Sequence, residues 1–302
     1  MKIFIQIIII LSLCIIHYHH QFLIFENNYN FSHLSQLERE MVFRTEMGFY
    51  FSFYKKIAIE FQDSLSSAVW SITNDSIIEY PHTINGFHRF NILPELITGT
   101  AFRIFDWLIN YLGIEMKQCW LVNRGVNLDV IESCEGLSDP FYFYLNFIFA
   151  LNGLIAAFVY LNGYLLCNHN TFGGIISVAA FAFNHGQATR VQWTPPLRES
   201  FAYPIYLILH YYITKNFESK AYTKPVIIIT LVTLLILSWQ FAQFILLTQL
   251  VSLYLTLKSS QLRRCNGNYL NYIFKCNLCS IVLSYVFMIS NSLIITSLYF
   301  TF

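Results

Sequence analysis

Two stretches of this 302-residue sequence carry side chains able to do chemistry. In Arg44-Thr45-Glu46-Met47-Gly48-Phe49-Tyr50 a carboxylate, Glu46, stands just ahead of an aromatic patch. Near a membrane face, low dielectric would raise its pKa and suit it to proton abstraction. The plainer alternative is a solvated helix face with Glu40 or Arg44 as neighbour. The second stretch runs His185-Gly186-Gln187-Ala188-Thr189-Arg190-Val191-Gln192-Trp193-Thr194-Pro195-Pro196-Leu197-Arg198-Glu199-Ser200, the one charged interruption between Pro140 and Lys215. Arg190 and Arg198 at a membrane edge could grip a phosphate, because guanidinium matches phosphate oxygens bidentately. Pro195-Pro196 would stiffen the turn. The alternative is a pair of snorkelling arginines, with Arg198 neutralised locally by Glu199. There is no GxGxxG, P-loop, HExxH or paired CxxC. The His17, His19, His20 cluster is assigned to a membrane interface rather than to a metal, and no metal or cofactor site is expected.

The elements that must position these residues are set by composition. The chain is 56% hydrophobic, 18% aromatic and 12% charged, with mean hydropathy +0.50. A soluble domain carries about 25% charged residues. Too little polar surface remains for a water-soluble globule, which excludes a disordered chain, a nucleic-acid binder and a cytosolic enzyme and points to a multi-span membrane protein. Ile3–Phe25 is uncharged and long enough for a first span. The rival reading, a cleaved signal peptide, lacks a small-residue cleavage site before His17-Tyr18-His19-His20. Pro140–Thr189 is uncharged and suits two spans broken at Cys167–Thr171. Ser200–Thr214 is a shorter apolar run, Pro225–Leu257 is uncharged, and Cys276–Phe302 supplies a last span. The cations at Lys215, Lys220, Lys224 and at Lys258, Arg263, Arg264, Lys275 should all be cytosolic. That requires two crossings within 225–257, with a bend near Ser238-Trp239-Gln240, and about seven spans altogether. A transporter or channel would want ionisable residues inside the spans, and these runs carry none.

Between the first two apolar runs lies an acidic block. Residues 26–139 hold 15 of the 17 acidic residues and 8 of the 18 basic ones. Both Asn-x-Ser/Thr sequons, at Asn30 and Asn74, fall there, as does the Cys119 and Cys134 pair. All three fit a lumenal loop, where the two cysteines either bond or stay free thiols. Cys276 and Cys279 form a lone CxxC that suits helix packing. The block should be mainly helical, with Leu34, Leu37 and Met41 at helical spacing and Ser32 or Ser35 as a cap, Glu38 standing in capping-box register with Ser35. Phe49, Tyr50, Phe53 and Tyr54 continue one aromatic face, and this helix could lie apolar side down on the membrane. The organisation expected is therefore a first helix (1–25), a lumenal helical loop (26–139) and a bundle of about six spans (140–302).

Several ordered strings resemble the DPY-19 family of protein C-mannosyltransferases. They are Phe31-Ser32-His33-Leu34-Ser35, Leu37-Glu38-Arg39-Glu40 and Arg44 to Gly48; Asn74-Asp75, Glu79-Tyr80-Pro81, Arg89-Phe90-Asn91 and Pro94-Glu95; Val122-Asn123-Arg124-Gly125 and Glu132-Ser133-Cys134-Glu135-Gly136-Leu137; and most specifically Phe183-Asn184-His185-Gly186 with Thr189-Arg190-Val191 and then Trp193 to Ser200. The resemblance covers roughly residues 25–300. It implies an all-α, multi-span glycosyltransferase of the GT-C fold class in the endoplasmic-reticulum membrane, N-terminus cytosolic, with a large first lumenal loop. It implies transfer of mannose from dolichyl-phosphate-mannose to indole C2 of tryptophan in Trp-x-x-Trp motifs of secretory proteins such as thrombospondin repeats. The family's base matches Glu46; Arg190, Arg198 and His185 would hold the donor phosphate, and Phe49, Tyr50, Trp193 and Glu199 would line the acceptor or substrate. Family members continue past Phe302, so the chain should correspond to their N-terminal half; the alternative is a truncated, non-catalytic membrane scaffold or anchor of the same family.

Overall fold

In the computed structural model the chain is mainly helical; the structure describes residues 2–43, 46–60, 64–123, 125, 129–184, 190–219, 223–258, 267–288, 291, 294 and 296–301. Helix α1 (Lys2–Tyr29) ends where Asn30 turns left-handed, at φ 48°, into a short turn Phe31–His33. Then α2 (Gln36–Val42) begins at Ser35, whose side chain and that of Glu38 bond reciprocally in a capping box. The expected continuous helix breaks at Phe43, and α3 (Glu46–Lys55) restarts it and runs into a wider turn, Lys56–Glu60. Next come α4 (Leu65–Thr73), α5 (Gly86–Arg89) and α6 (Leu93–Leu112), the last opened by Pro94 and closed by Gly113 at φ 65°.

The acidic block also holds an antiparallel hairpin that helical periodicity does not announce, β1 (Gln118–Val122) and β2 (Ile131–Glu135). Cys119 stands opposite Cys134 in its register, and the two are disulfide-bonded. The buried Arg39 ties this hairpin to the helices, donating to the Phe31 carbonyl at 2.8 Å and to Ser133 Oγ at 2.6 Å.

Asp139 caps α7 (Pro140–Leu166) and Asn170 caps α8 (Thr171–Phe183), so the chain breaks at 167–170. A single turn, α9 (Arg190–Trp193), leads to α10 (Arg198–Ser219). A bend at 239–241 separates α11 (Pro225–Ser238) from α12 (Ala242–Lys258). The last long helix, α13 (Gly267–Phe287), starts nine residues before the apolar run that suggested it. Its inward contacts begin at Tyr269 and Ile273, and the stem of Lys275 can lie along the surface.

Helix α7 is central, packed on α1, α8 and α10, while α10 packs on α11 and α11 on α13. Backbones approach closely at the α7–α8 crossing: a Cβ on Gly174 would sit 2.7 Å from the Tyr160 ring. Burial is reversed from that of a water-soluble bundle. On α1, Ile8, Leu11, Ile15 and Ile16 are exposed whereas His17 and Gln21 are buried; on α13, Leu278, Val282 and Val286 are exposed whereas Asn277, Ser280 and Ser284 are buried. An apolar exterior of this extent suits a lipid surround. Three helices are long and apolar enough to cross a membrane, Phe4–Tyr29, Pro140–Leu166 and Asn268–Phe287. Helices α8 and α11 have 13 and 14 residues, about 20 Å against a hydrocarbon core of about 30 Å.

The acidic block sits on the bundle through aromatic rings. Phe43 stacks on Phe141 at 4.9 Å between centroids and Phe51 meets Tyr144 at 5.3 Å. Phe53 and Tyr54 are therefore buried in protein rather than laid on a membrane surface, whereas Leu37 and Met41 of α2 are exposed.

Within the block Asp75 is buried, paired with Lys56 and accepting from the Ile77 and Ile78 N–H groups at 2.8 and 3.1 Å. Burial alone would raise its carboxyl, but the Lys56 hydrogen bond, the two N–H donors and the Lys56 charge together hold it below the ordinary value. Such a group stabilises the fold above its unfolded pKa of about 4, and the contribution fades as pH falls through the lowered one. Asp75→Asn should cost about 1–3 kcal/mol at pH 7, with the gap to the native chain closing as pH drops below about 4; thermal melts in detergent across pH 3–7 measure it.

Candidate active site

The two chemically equipped stretches meet at one end of the bundle. The start of α3 packs closely on the end of α2: a Cβ on Gly48 would lie 2.7 Å from the Phe43 carbonyl oxygen. Glu46 is the first residue of α3, where a helix N-terminus favours a carboxylate. In the other stretch the Thr194 N–H and hydroxyl both donate to the Arg190 carbonyl, at 2.8 and 2.9 Å. The prolines carry no N–H, and the chain reverses through them into α10. The reversal lays Arg190 over Glu199, Nη1 to Oε1 3.5 Å, and brings its Nη2 to 3.7 Å from Glu46 Oε2. One cation thus lies between two carboxylates from distant segments. The side chains of Glu46 and Arg190 are 62% and 48% exposed. Exposed pairs at such distances are worth under about 1 kcal/mol, so these groups remain open to a third, charged partner.

The second arginine is in a different state. The Arg198 side chain is 5% exposed, hydrogen-bonded to Glu95 of α6, which is 1% exposed. Its guanidinium carbon also lies 3.6 Å over the centre of the Tyr50 ring. Burial pushes the Glu95 carboxyl up to about 7, against the pull of the Arg198 charge and hydrogen bond. The low-dielectric carboxylate expected at Glu46 is thus found at Glu95. The reason is helical: Met47, Phe51 and Tyr54 form the buried face of α3, leaving Glu46 on the rim. In the sequence Glu95 is marked as the lone acid in the apolar run Ile92-Leu93-Pro94-Glu95-Leu96-Ile97, a signal of burial that does not name its partner.

Of the remaining candidates, Tyr50 serves as the platform for Arg198, and Phe49 packs on Phe90 at 4.9 Å between ring centroids. Trp193 is half exposed, one turn beyond Arg190. His185, with Arg44, lies outside the described residues. Asn30 and Asn74 are exposed. Cys276 is buried and Cys279 exposed, on different sides of α13. His17 faces the bundle interior rather than an interface. Among the described residues, the metal-type cluster found is Cys119, Glu132 and Cys134, whose two thiols are spent in the disulfide.

Lipid-suited helices, a disulfide-bonded block seated on their end, and an arginine between carboxylates at the junction define a membrane-associated helical protein with an ionic site at its rim. The chain belongs to the Dpy19 family, whose profile, described as Q-cell neuroblast polarisation, matches residues 11–302. A Homo sapiens relative named protein C-mannosyl-transferase DPY19L1 is 43% identical over 287 residues, covering 94% of this chain and 42% of the relative. A Caenorhabditis elegans relative named C-mannosyltransferase dpy-19 is 38% identical over 288 residues, covering 94% of this chain and 41% of its own. The chain thus spans about two fifths of the length of these relatives.

The two arginines should separate cleanly in stability. Arg198→Ala strands a buried carboxylate and should cost about 3–5 kcal/mol; Arg190→Ala removes only exposed pairs and should cost under about 1 kcal/mol. Denaturation of both variants in detergent, followed by tryptophan fluorescence, tests this contrast.

Proposed function

We propose that this chain forms the N-terminal part of an inverting C-mannosyltransferase of the GT-C class, taking mannose from dolichyl-phosphate-mannose. The acceptor is indole C2 of tryptophan in Trp-x-x-Trp motifs of secretory proteins such as thrombospondin repeats. The carrying observation is Arg190 set between Glu46 and Glu199 at the junction of the apolar helices and the acidic block, in a family whose relatives are named C-mannosyltransferases. A lipid-borne donor requires a site at a membrane face. The setting is the endoplasmic-reticulum membrane, with the N-terminus cytosolic, the acidic block lumenal, and α1, α7, α8, α10, α11, α12 and α13 as seven crossings. The Cys119–Cys134 disulfide supports an oxidising compartment.

In this reading the bond from mannose C1 to the phosphate oxygen breaks as indole C2 attacks C1 from the opposite face. The electron pair leaves with dolichyl phosphate, and Arg190, whose donors are not fully engaged, takes up the growing phosphate charge. No metal ion is needed for that role. Arg198, held by Glu95, supplies positive potential from behind. The attacked ring becomes cationic at the indole; the Glu46 carboxylate removes the C2 proton and aromaticity returns. Trp193 and Tyr50 give the acceptor ring an aromatic wall.

The chain, and a chimera in which it replaces the matching segment of a longer relative, would be expressed with a thrombospondin-repeat acceptor in cells lacking the activity. Glu46→Gln should lower hexose addition to tryptophan about 10²–10⁴-fold, read by mass spectrometry of acceptor peptides. Full activity of Glu46→Gln overturns the assignment of the base. Absence of hexose from both native forms favours the non-catalytic scaffold. Topology has its own test: Asn74→Gln should remove a glycan seen as a gel shift, and an Asn74 region facing the cytosol would overturn the lumenal placement.

A further inference from the structure

Interior polar groups of the bundle usually close on a carbonyl one turn earlier, as Asn162 does on Phe158 and Ser280 on Cys276. One group behaves differently. His17 and Gln21 of α1 face inward, one turn apart, towards Asn152 of α7 and Gln192 of α9, and all four side chains are buried. Asn152 Nδ2 donates to the Val191 carbonyl at 3.4 Å and to Gln21 Oε1 at 3.5 Å; Gln192 Nε2 donates to the Phe181 carbonyl at 2.8 Å. A backbone carbonyl only accepts, so these bonds fix which way each amide is turned. Left over are a donor, Gln21 Nε2, two acceptors, Asn152 Oδ1 and Gln192 Oε1, and His17 Nε2, which can serve as either. The His17 ring lies 5.6 Å from that of Phe181, whose carbonyl Gln192 holds.

Each such group left dry costs about 1–3 kcal/mol. An anion would need donors alone and a cation acceptors alone; this set offers both, which is the complement of water. We propose that ordered water is bound where α1, α7, α8 and α9 meet, bridging Gln21, Asn152, Gln192 and His17, and that this hydrated joint holds α9, with Arg190 on it, in place on the bundle. A single turn such as α9 has no stability of its own. Val191 packs with Ile155 and Leu207, but apolar contact is non-directional; direction comes from the Asn152 and Gln192 hydrogen bonds. The inference holds whether or not Arg190 meets a phosphate.

Hydroxyl-radical footprinting of the full chain in lipid nanodiscs reads water inside a helical bundle, because the radical forms from that water and attacks the nearest side chain. His17 should be oxidised severalfold faster than Phe53, equally deep but packed with Ile57, Ala68, Ile72 and Ile92 in a separate cluster; equal rates overturn the proposal. The Gln21→Leu, Asn152→Leu double variant should lose the His17 signal and raise deuterium uptake at the Thr194 amide, which bonds the Arg190 carbonyl, about tenfold. Persistent His17 oxidation in the folded variant overturns the water site, and unchanged uptake over 190–194 overturns its hold on α9. Should the variant misfold, the native His17 to Phe53 comparison decides alone.

Discussion

The geometry at the rim depends on one buried ion pair. Moving a guanidinium and a carboxylate out of water costs several kcal/mol each, and their attraction recovers this only if geometry and further contacts are favourable. Arg198 and Glu95 offset part of it through a direct hydrogen bond and the Tyr50 ring under the guanidinium, while Arg198 Nε and Nη2 and Glu95 Oε1 are buried without a hydrogen-bond partner. The pair draws together α6 through Glu95, α10 through Arg198 and α3 through Tyr50. Glu46 stands one turn before Tyr50, and Glu199 adjoins Arg198. Fixing the buried pair therefore fixes the spacing of the two exposed carboxylates that flank Arg190. Stability alone does not account for such a pair, since an apolar replacement can do as well; what it supplies is a unique register among three helices.

The second constraint is the solvent. Lipid rewards apolar side chains on the outside and gives no hydrophobic drive between helices, so contacts rely on close approach and on polar groups. Gly174 against Tyr160, Asn162 reaching the Leu207 carbonyl and Ser280 reaching the Ile229 carbonyl are such contacts. The acidic block obeys the rules of water and must still be fastened to the lipid-suited bundle. Stacked rings achieve this, Phe43 and Phe51 from the block against Phe141 and Tyr144 of α7, because aromatic pairs hold in either medium.

What could be read in the sequence follows from the range of each interaction. The capping box of Ser35 and Glu38 is local and legible, as are the breaks at 167–170 and 239–241, where polar or turn-forming residues interrupt apolar runs. The pairing of Arg198 with Glu95 joins residues 103 apart, and no periodicity points to it; hence Arg198 reads from sequence as a phosphate ligand when it is already engaged. The hairpin was hidden for a related reason. Its stability comes from a disulfide and from Arg39, not from alternation along its strands. Glu46 misleads in the opposite sense: a carboxylate before five aromatic residues suggests burial, yet the helical phase turns Met47, Phe51 and Tyr54 inward and leaves Glu46 outside.

That exposure bears on what a transfer site needs. Groups already locked in strong pairs must break them before meeting a substrate, and that cost falls on the reaction. Catalysis gains when interactions are stronger in the transition state than before it. Arg190 at 3.5 and 3.7 Å from its two carboxylates is oriented by them without being consumed. A leaving phosphate carries more charge than the bound ester, so it would draw Arg190 more strongly late in the reaction than early. Glu46 would then lose its cationic neighbour as the indole ring becomes positive. On the proposed chemistry, the weakness of the exposed triad and the strength of the buried pair behind it are complementary: one holds position while the other exchanges partners.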